Sequence, residues 1–372
     1  MKSLASPLRF ALALAAAFIL TLALAIHAAS AQAIPAAPAP QAPTSQPPAA
    51  APGPITPNNL GPVPLAPPAD PLPQANPKLF TAASPTLATV NSFLHQVWGY
   101  DSSRIYRVMA IEPTTAPNVT RVVVFVTTHA ADAKVQAATF FVTPDGKHAI
   151  GEGSVIVPFG ATPFADVRDL LRDRADGAFR GAPSKDLELV EFADLQCPHC
   201  KEAQPVMNQI VQDFPKAHVV FQLFPLVDIH SSALKAAAYG ICAQQHSNDA
   251  FFQFADGVFD TQDGLTPATD DTLLKAAAKR AGLDADAIAS CAGSPATLAH
   301  VNADIKLAED AGIDQTPTLV VNGRPLPLTG IPYDTLKQLI QFQATLDGVD
   351  SGATAATLAP QPPPPTLNNL PN

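Results

Sequence analysis

Cysteine is scarce in this chain: four in 372 residues, at 197, 200, 242 and 291. Any thiol chemistry rests on those alone, and Cys242 and Cys291 have only each other left as partners once the close pair is set aside. A basic block is missing as well. The 22 Lys and Arg residues are outnumbered by 32 Asp and Glu, for a net charge of −10. An acidic chain of this kind is a poor match for nucleic acid or an anionic membrane surface, and no nucleic-acid partner is expected. Long apolar runs are lacking too. The one candidate, Phe10 to Ile26, is slightly short for a full membrane span, and no cysteine follows it to carry a lipid.

Proline, by contrast, is abundant, with 40 residues concentrated near the two ends. Lys2 and Arg9 flank the apolar run, and Ala31 and Ala33 frame a small-residue cleavage site in "ASAQA", the three-part pattern of a secretory signal over residues 1–33. The expected location is the periplasm of a Gram-negative type of cell, with membrane tethering if the run is not cleaved. Residues 34–79 are an Ala- and Pro-rich spacer that favours extended polyproline-like conformations. Residues 348–372 form a similar tail, expected to be disordered.

Two bodies lie between. In residues 80–161, Ser84-Pro85 reads as a helix start, and Val90, Phe93, Leu94 and Val97 recur at helical spacing. Four strand-like runs follow, the last two separated by the turn Pro144-Asp145-Gly146-Lys147. A small α+β domain, one helix on an antiparallel sheet, is the natural solution. His129 and His148 are isolated there and read as solvated or strand-edge residues. Residues 162–180 are a polar helical connector, and the second body runs over 181–347. Its order is strand, helix, strand, a helical block at about 228–313, strand, strand, helix: an α/β fold.

"VEFADLQCPHC" carries the chemistry. A Cys-x-x-Cys can be half a zinc site, a crosslink or a redox catalyst. Cys197 falls where a strand ends and a helix begins, and Cys200 is one turn on and on the same face. At a helix N-terminus, unsatisfied N–H groups and the dipole stabilise a thiolate on Cys197. Pro198 suits the first helical turn, and a protonated His199 would add a nearby charge. His199, set between the thiols, is poorly placed to close a tetrahedral zinc site with both, and no metal set is expected. An exported chain also shifts the balance toward redox chemistry.

Together with "DQTPTLVVNG" at 314–323, this stretch resembles the thioredoxin superfamily, and more narrowly the DsbA-like thiol–disulfide oxidoreductases, over about residues 181–347. The resemblance implies a thioredoxin fold with an inserted helical block, and a protein thiol–disulfide oxidoreductase with no cofactor beyond the Cys197–Cys200 disulfide. Cys197 would be the exposed nucleophile, forming a mixed disulfide that Cys200 resolves. Pro317 would be the cis-proline facing the pair, and Thr316 would offer its backbone to an extended substrate. Glu191 matches the buried acid that moves protons for the inner cysteine; an edge-strand carboxylate is the plainer alternative. The best-known oxidases carry Val where this chain has Thr316, and Thr there also occurs in isomerases. The N-terminal body faintly resembles the dimerisation domain of DsbC-type isomerases.

The expected reaction is therefore oxidation of reduced or unfolded exported proteins, recharged by a membrane or soluble redox partner. An isomerase or reductase, dimerised through the N-terminal domain, is the runner-up; a metal-binding or peptide-binding module follows. Cys242 and Cys291, both in the helical block, read most simply as a structural disulfide, with buried free thiols or a second redox pair as alternatives. His230, in "FPLVDIHSSA", lies either near the site or at a helix start packing on the sheet.

Overall fold

The computed structural model describes residues 71–130 and 132–353. The signal-like segment, most of the Ala/Pro-rich stretch and most of the tail lie outside the described residues. The N-terminal body contains helix α1 (Leu87–Trp98) and strands β1 (Arg104–Pro113), β2 (Thr120–Thr128), β3 (Gln136–Val142), β4 (His148–Ile150) and β5 (Ile156–Pro158). The strands form an antiparallel sheet in sequence order. Alternation along β2 turns Val122, Val124 and Val126 inward. They meet Val90, Phe93 and Leu94 of α1, with the Phe93 ring 4.8 Å from Phe159 and 5.7 Å from Phe140.

The helix starts later than the Ser84-Pro85 signal implies. Thr86 is the cap, its hydroxyl accepting from Thr89 N at 3.1 Å. Ser84 is held elsewhere: the Thr120 hydroxyl donates to its carbonyl at 2.7 Å, pinning it to the sheet. The end of the spacer is also fixed. Leu72 is buried, Arg107 donates to the carbonyls of Leu72 and Pro73 at 2.8 Å each, and Phe80 bridges Ile111. Those residues cover the open edge of β1, where unpaired backbone groups would otherwise face outward.

The second body begins before residue 181. Helix α2 (Ala165–Arg174) leads into β6 (Ala178–Gly181), followed by β7 (Glu188–Ala193), α3 (Pro198–Asp213) and β8 (His218–Leu223). The helical block is α4 (Ala233–Gln244), α5 (Asn248–Thr261), α6 (Asp270–Arg280), α7 (Ala285–Ala292) and α8 (Pro295–Asp310); β9 (Thr318–Val321), β10 (Arg324–Pro327) and α9 (Tyr333–Leu346) close the body. The sheet order is β10-β9-β7-β8-β6, with β7 and β8 parallel and the remaining pairs antiparallel. This is a thioredoxin fold with a helical block inserted between β8 and β9. The stretch read as a connector thus supplies an edge strand, because Ala178–Gly181 pairs with His218–Phe221.

Every residue of β7 and β8 is buried, as expected of central strands covered on both faces. On one face Leu189, Val219 and Leu319 meet Met207 and Ile210 of α3 and Leu336 and Ile340 of α9. On the other, Val190, Phe192 and Val220 meet Leu171 of α2 and Leu307 of α8. The chain after α9 remains attached: Val349 and Ala353 pack on the α3 side, and Lys216 pairs with Asp350 at 2.5 Å. At the β9–β10 turn Asn322 and Gly323 both take positive φ, and a Cβ on Gly323 would stand 2.1 Å from the Phe164 carbonyl oxygen. Arg324, buried beside that turn, donates to Gln343 at 2.9 Å and to the Gln96 carbonyl in α1, joining the two bodies.

Cys242 on α4 and Cys291 on α7 are disulfide-bonded, with Cα atoms 6.1 Å apart and a sequence separation of 49. Closing a loop of that length restricts the unfolded chain by up to ~4 kcal/mol. The double variant Cys242→Ala/Cys291→Ala is expected to lose up to that amount in urea unfolding while its Cys197–Cys200 reduction potential stays put. A shifted potential would assign this pair to redox relay instead.

Candidate active site

The sheet delivers Cys197 to the point where β7 ends. Asp194, Leu195 and Gln196 make the turn, the Cys197 amide donates to Asp194 O at 3.0 Å, and Cys197 becomes the N-cap of α3 with Pro198 in its first turn. Both cysteines are free thiols in this structure. Cys197 shows 5% of its surface and Cys200 none, so the outer cysteine is less open than a freely exposed nucleophile. The reason is the opposite wall: Cys197 Sγ lies against the Thr316 carbonyl oxygen at 3.7 Å. The Thr316-Pro317 peptide is cis, and Pro317 is buried.

The two sulfurs differ sharply in acidity. A hydrogen bond from Cys200 is the largest cause holding Cys197 down at about 5; burial opposes it, and Thr316 and the backbone N–H groups of Cys200 and His199 assist. Burial, then the neighbouring sulfur, pushes Cys200 far above the ordinary thiol range. The pair is therefore a thiolate outside and a thiol inside at neutral pH. His199 contributes through its amide. Its exposed imidazole turns to Glu202, Nδ1 to Oε2 at 2.9 Å, and that carboxylate raises its pKa.

Glu191 is not on an edge. It sits in the central strand β7, fully buried, and burial pushes it up to about 7 against the opposing influence of Arg180 and a hydrogen bond from Gln204. Gln204 Nε2 donates both to Glu191 Oε1 at 2.9 Å and to the Cys200 carbonyl at 3.1 Å. Gln204 thus couples the acid to the turn that carries the inner cysteine. Its position four residues after Cys200 on one helix face was the available signal.

The turn is braced from below by residues that motif reading passes over. Asp194, wholly buried, accepts from Gln196 N at 2.7 Å, Leu226 N at 2.8 Å and His230 Nδ1 at 2.7 Å. His230 thus faces Asp194, three residues before Cys197. Gln262 donates to the carbonyls of Leu195 and Cys197, both at 2.9 Å. Ser232 leads into α4, but its hydroxyl bonds Asp270 rather than capping that helix. On the cis-proline side, a largely apolar cleft of about 820 Å³ extends between the bodies. Its walls include Trp98 and Phe140 from the N-terminal body and Gln315 and Thr318, which flank Thr316-Pro317.

A family model described as Thioredoxin matches residues 174–342. Over 145 residues the chain is 31% identical to the Na(+)/H(+) antiporter NhaA 3 of Salinispora tropica, spanning 39% of this chain and 21% of that one. The chain covers about a fifth to a quarter of the length of the curated relatives it matches. Among solved structures, Proteus mirabilis ScsC in a transitional conformation is 23% identical with a TM-score of 0.42, over 49% of this chain and 78% of that one. Wolbachia pipientis alpha-DsbA1 is 24% identical with a TM-score of 0.41, over 49% of this chain and 96% of that one. Among the described residues no helix is long and apolar enough to cross a membrane.

Proposed function

We propose that this chain, a DsbA-like thiol–disulfide oxidoreductase of thioredoxin fold, is exported and oxidises the dithiols of other exported proteins. The observation that carries the reading is the asymmetry of the pair: Cys197 is held as a thiolate near pKa 5 while the buried Cys200 keeps its proton. Stabilising the reduced form in this way favours giving a disulfide away over keeping it. The Cys242–Cys291 crosslink suits an oxidising compartment.

The reaction starts from the Cys197–Cys200 disulfide. A client thiolate attacks Cys197 Sγ, the bond to Cys200 breaks, and Cys200 leaves as a thiolate that takes up a proton. Glu191 is the acid nearest in chemistry to that task. The mixed disulfide then has two exits. A second client thiolate attacks the client's own sulfur, forming the client disulfide and leaving Cys197 as a thiolate; two electrons have passed to the enzyme. Alternatively Cys200 attacks Cys197 and releases the client unoxidised. Cys200 is thus the leaving group in the forward direction and the resolving group in the reverse.

Cys200→Ala removes the second exit. Incubated with disulfide-bonded secreted proteins, its Cys197 thiolate should attack a client disulfide, the other client sulfur leaving as a thiolate, and accumulate mixed disulfides that dithiothreitol releases. In parallel, the wild-type protein should oxidise reduced ribonuclease faster than it rearranges the scrambled form. A preference for the scrambled form would move the assignment to isomerase, and no trapped species would remove catalysis altogether.

A further inference from the structure

A second cluster of chemically capable side chains lies on the face of the sheet opposite α3. Asp176 sits in the turn between α2 and β6; His300 and Asp304 are one turn apart on α8. Nε2 of His300 is 3.1 Å from Asp176 Oδ2 and 3.7 Å from Asp304 Oδ1, and one donor atom from each residue lies within 4.8 Å of the others. A tetrahedral ion with bonds of about 2.0–2.1 Å to nitrogen and oxygen holds its ligands ~3.3 Å apart. The two measured separations bracket that spacing.

The surroundings are built in the manner of a ligand set. Asp304 is buried, and Gln222 Nε2 donates to its Oδ1 at 2.9 Å, while Gln222 Oε1 accepts from Gly177 N at 3.1 Å. An amide fixed at both ends orients the carboxylate from outside, as partners of metal ligands do. Asp176 is exposed and leaves one side open to water. Two carboxylates face one imidazole. A divalent cation would supply positive charge there.

We propose that Asp176, His300 and Asp304 bind one divalent transition-metal ion of the Zn²⁺ class, with the remaining coordination open to water. The ion would clamp α8 to the turn that precedes β6. Only His300 and Asp304 are close in sequence; Asp176 joins them through folding. The test uses the full chain with the Cys197–Cys200 pair oxidised, so that no thiolate competes, after treatment with chelator. Calorimetric titration with Zn²⁺ at pH 7.5 should show one saturable equivalent and a rise in the thermal midpoint. His300→Ala and Asp304→Asn should each weaken binding at least ~10-fold, as loss of a ligand or its support does. Asp176→Asn, at an exposed position, carries the same expectation and guards against a misfolded variant of the buried Asp304. No saturable equivalent, or equal affinity in wild type and all three variants, would overturn the assignment.

Discussion

Cys197→Ser is expected to lose dithiol oxidation by at least ~10³-fold, since a hydroxyl can neither enter a disulfide nor leave from one. The same residue sets a pH signature in the wild type. Its thiolate is stabilised to about 5 from an ordinary value of 9.0, so alkylation by iodoacetamide should rise with a midpoint near pH 5. The linkage has a definite sign. A depressed pKa adds stability to the reduced fold above the unfolded pKa and loses it as pH falls through the folded one. At pH 7 the gain is at most about 3 kcal/mol, from two decades between pH and pKa at 1.36 kcal/mol each. The oxidised form has no thiolate to stabilise, so reduced protein should unfold at the higher urea concentration, by a margin that shrinks toward pH 5. The same energy raises the reduction potential by ~60 mV. Reduced and oxidised forms of equal stability at pH 7 would contradict the oxidase reading.

How much of this could be seen in the sequence depends on where each signal resides. Cys197, Cys200, Thr316 and Pro317 were legible because their chemistry is tied to local order: a strand ending in "CPHC", and a Thr-Pro just before another strand. The helical block was legible from its length. The start of α1 was not, because two candidate caps lie two residues apart. The Ser84 carbonyl accepts from the Thr120 hydroxyl of β2 while Thr86 caps the helix, and only tertiary contact decides between them. β6 was hidden for a related reason. Its residues 178–181 carry no strong strand pattern and become a strand by pairing with β8. Asp194 and Gln262 escaped notice because a buried polar side chain acts through backbone groups it reaches only after folding. His199 misled in the other direction: a charge adjacent in sequence turns away to Glu202 in space.

Glu191→Gln should give a protein that is both more stable and slower, and the pairing of those effects is what tests its part in proton transfer. Burial raises Glu191 to about 7 from an ordinary value of 4.5. A raised pKa means that stability is fully present below the unfolded value and is lost as pH rises through the folded one. At pH 8 the ionised carboxylate therefore costs the fold about 3 kcal/mol, some two and a half decades at 1.36 kcal/mol each. Glutamine cannot ionise, and its Oε1 can still accept from Gln204, which now bonds Glu191 Oε1. The variant should match wild type at pH 4 and exceed it at pH 8. Its turnover should nonetheless fall by ~10², the lower end of what a positioned acid–base group contributes, because Cys200 leaves and returns as a thiolate that the dry interior disfavours. The wild-type rate should bend near pH 7 and the variant's should not, while alkylation of Cys197 keeps its midpoint. A slower variant that is also less stable would reduce Glu191 to a structural residue, and an unchanged rate would leave proton transfer to solvent.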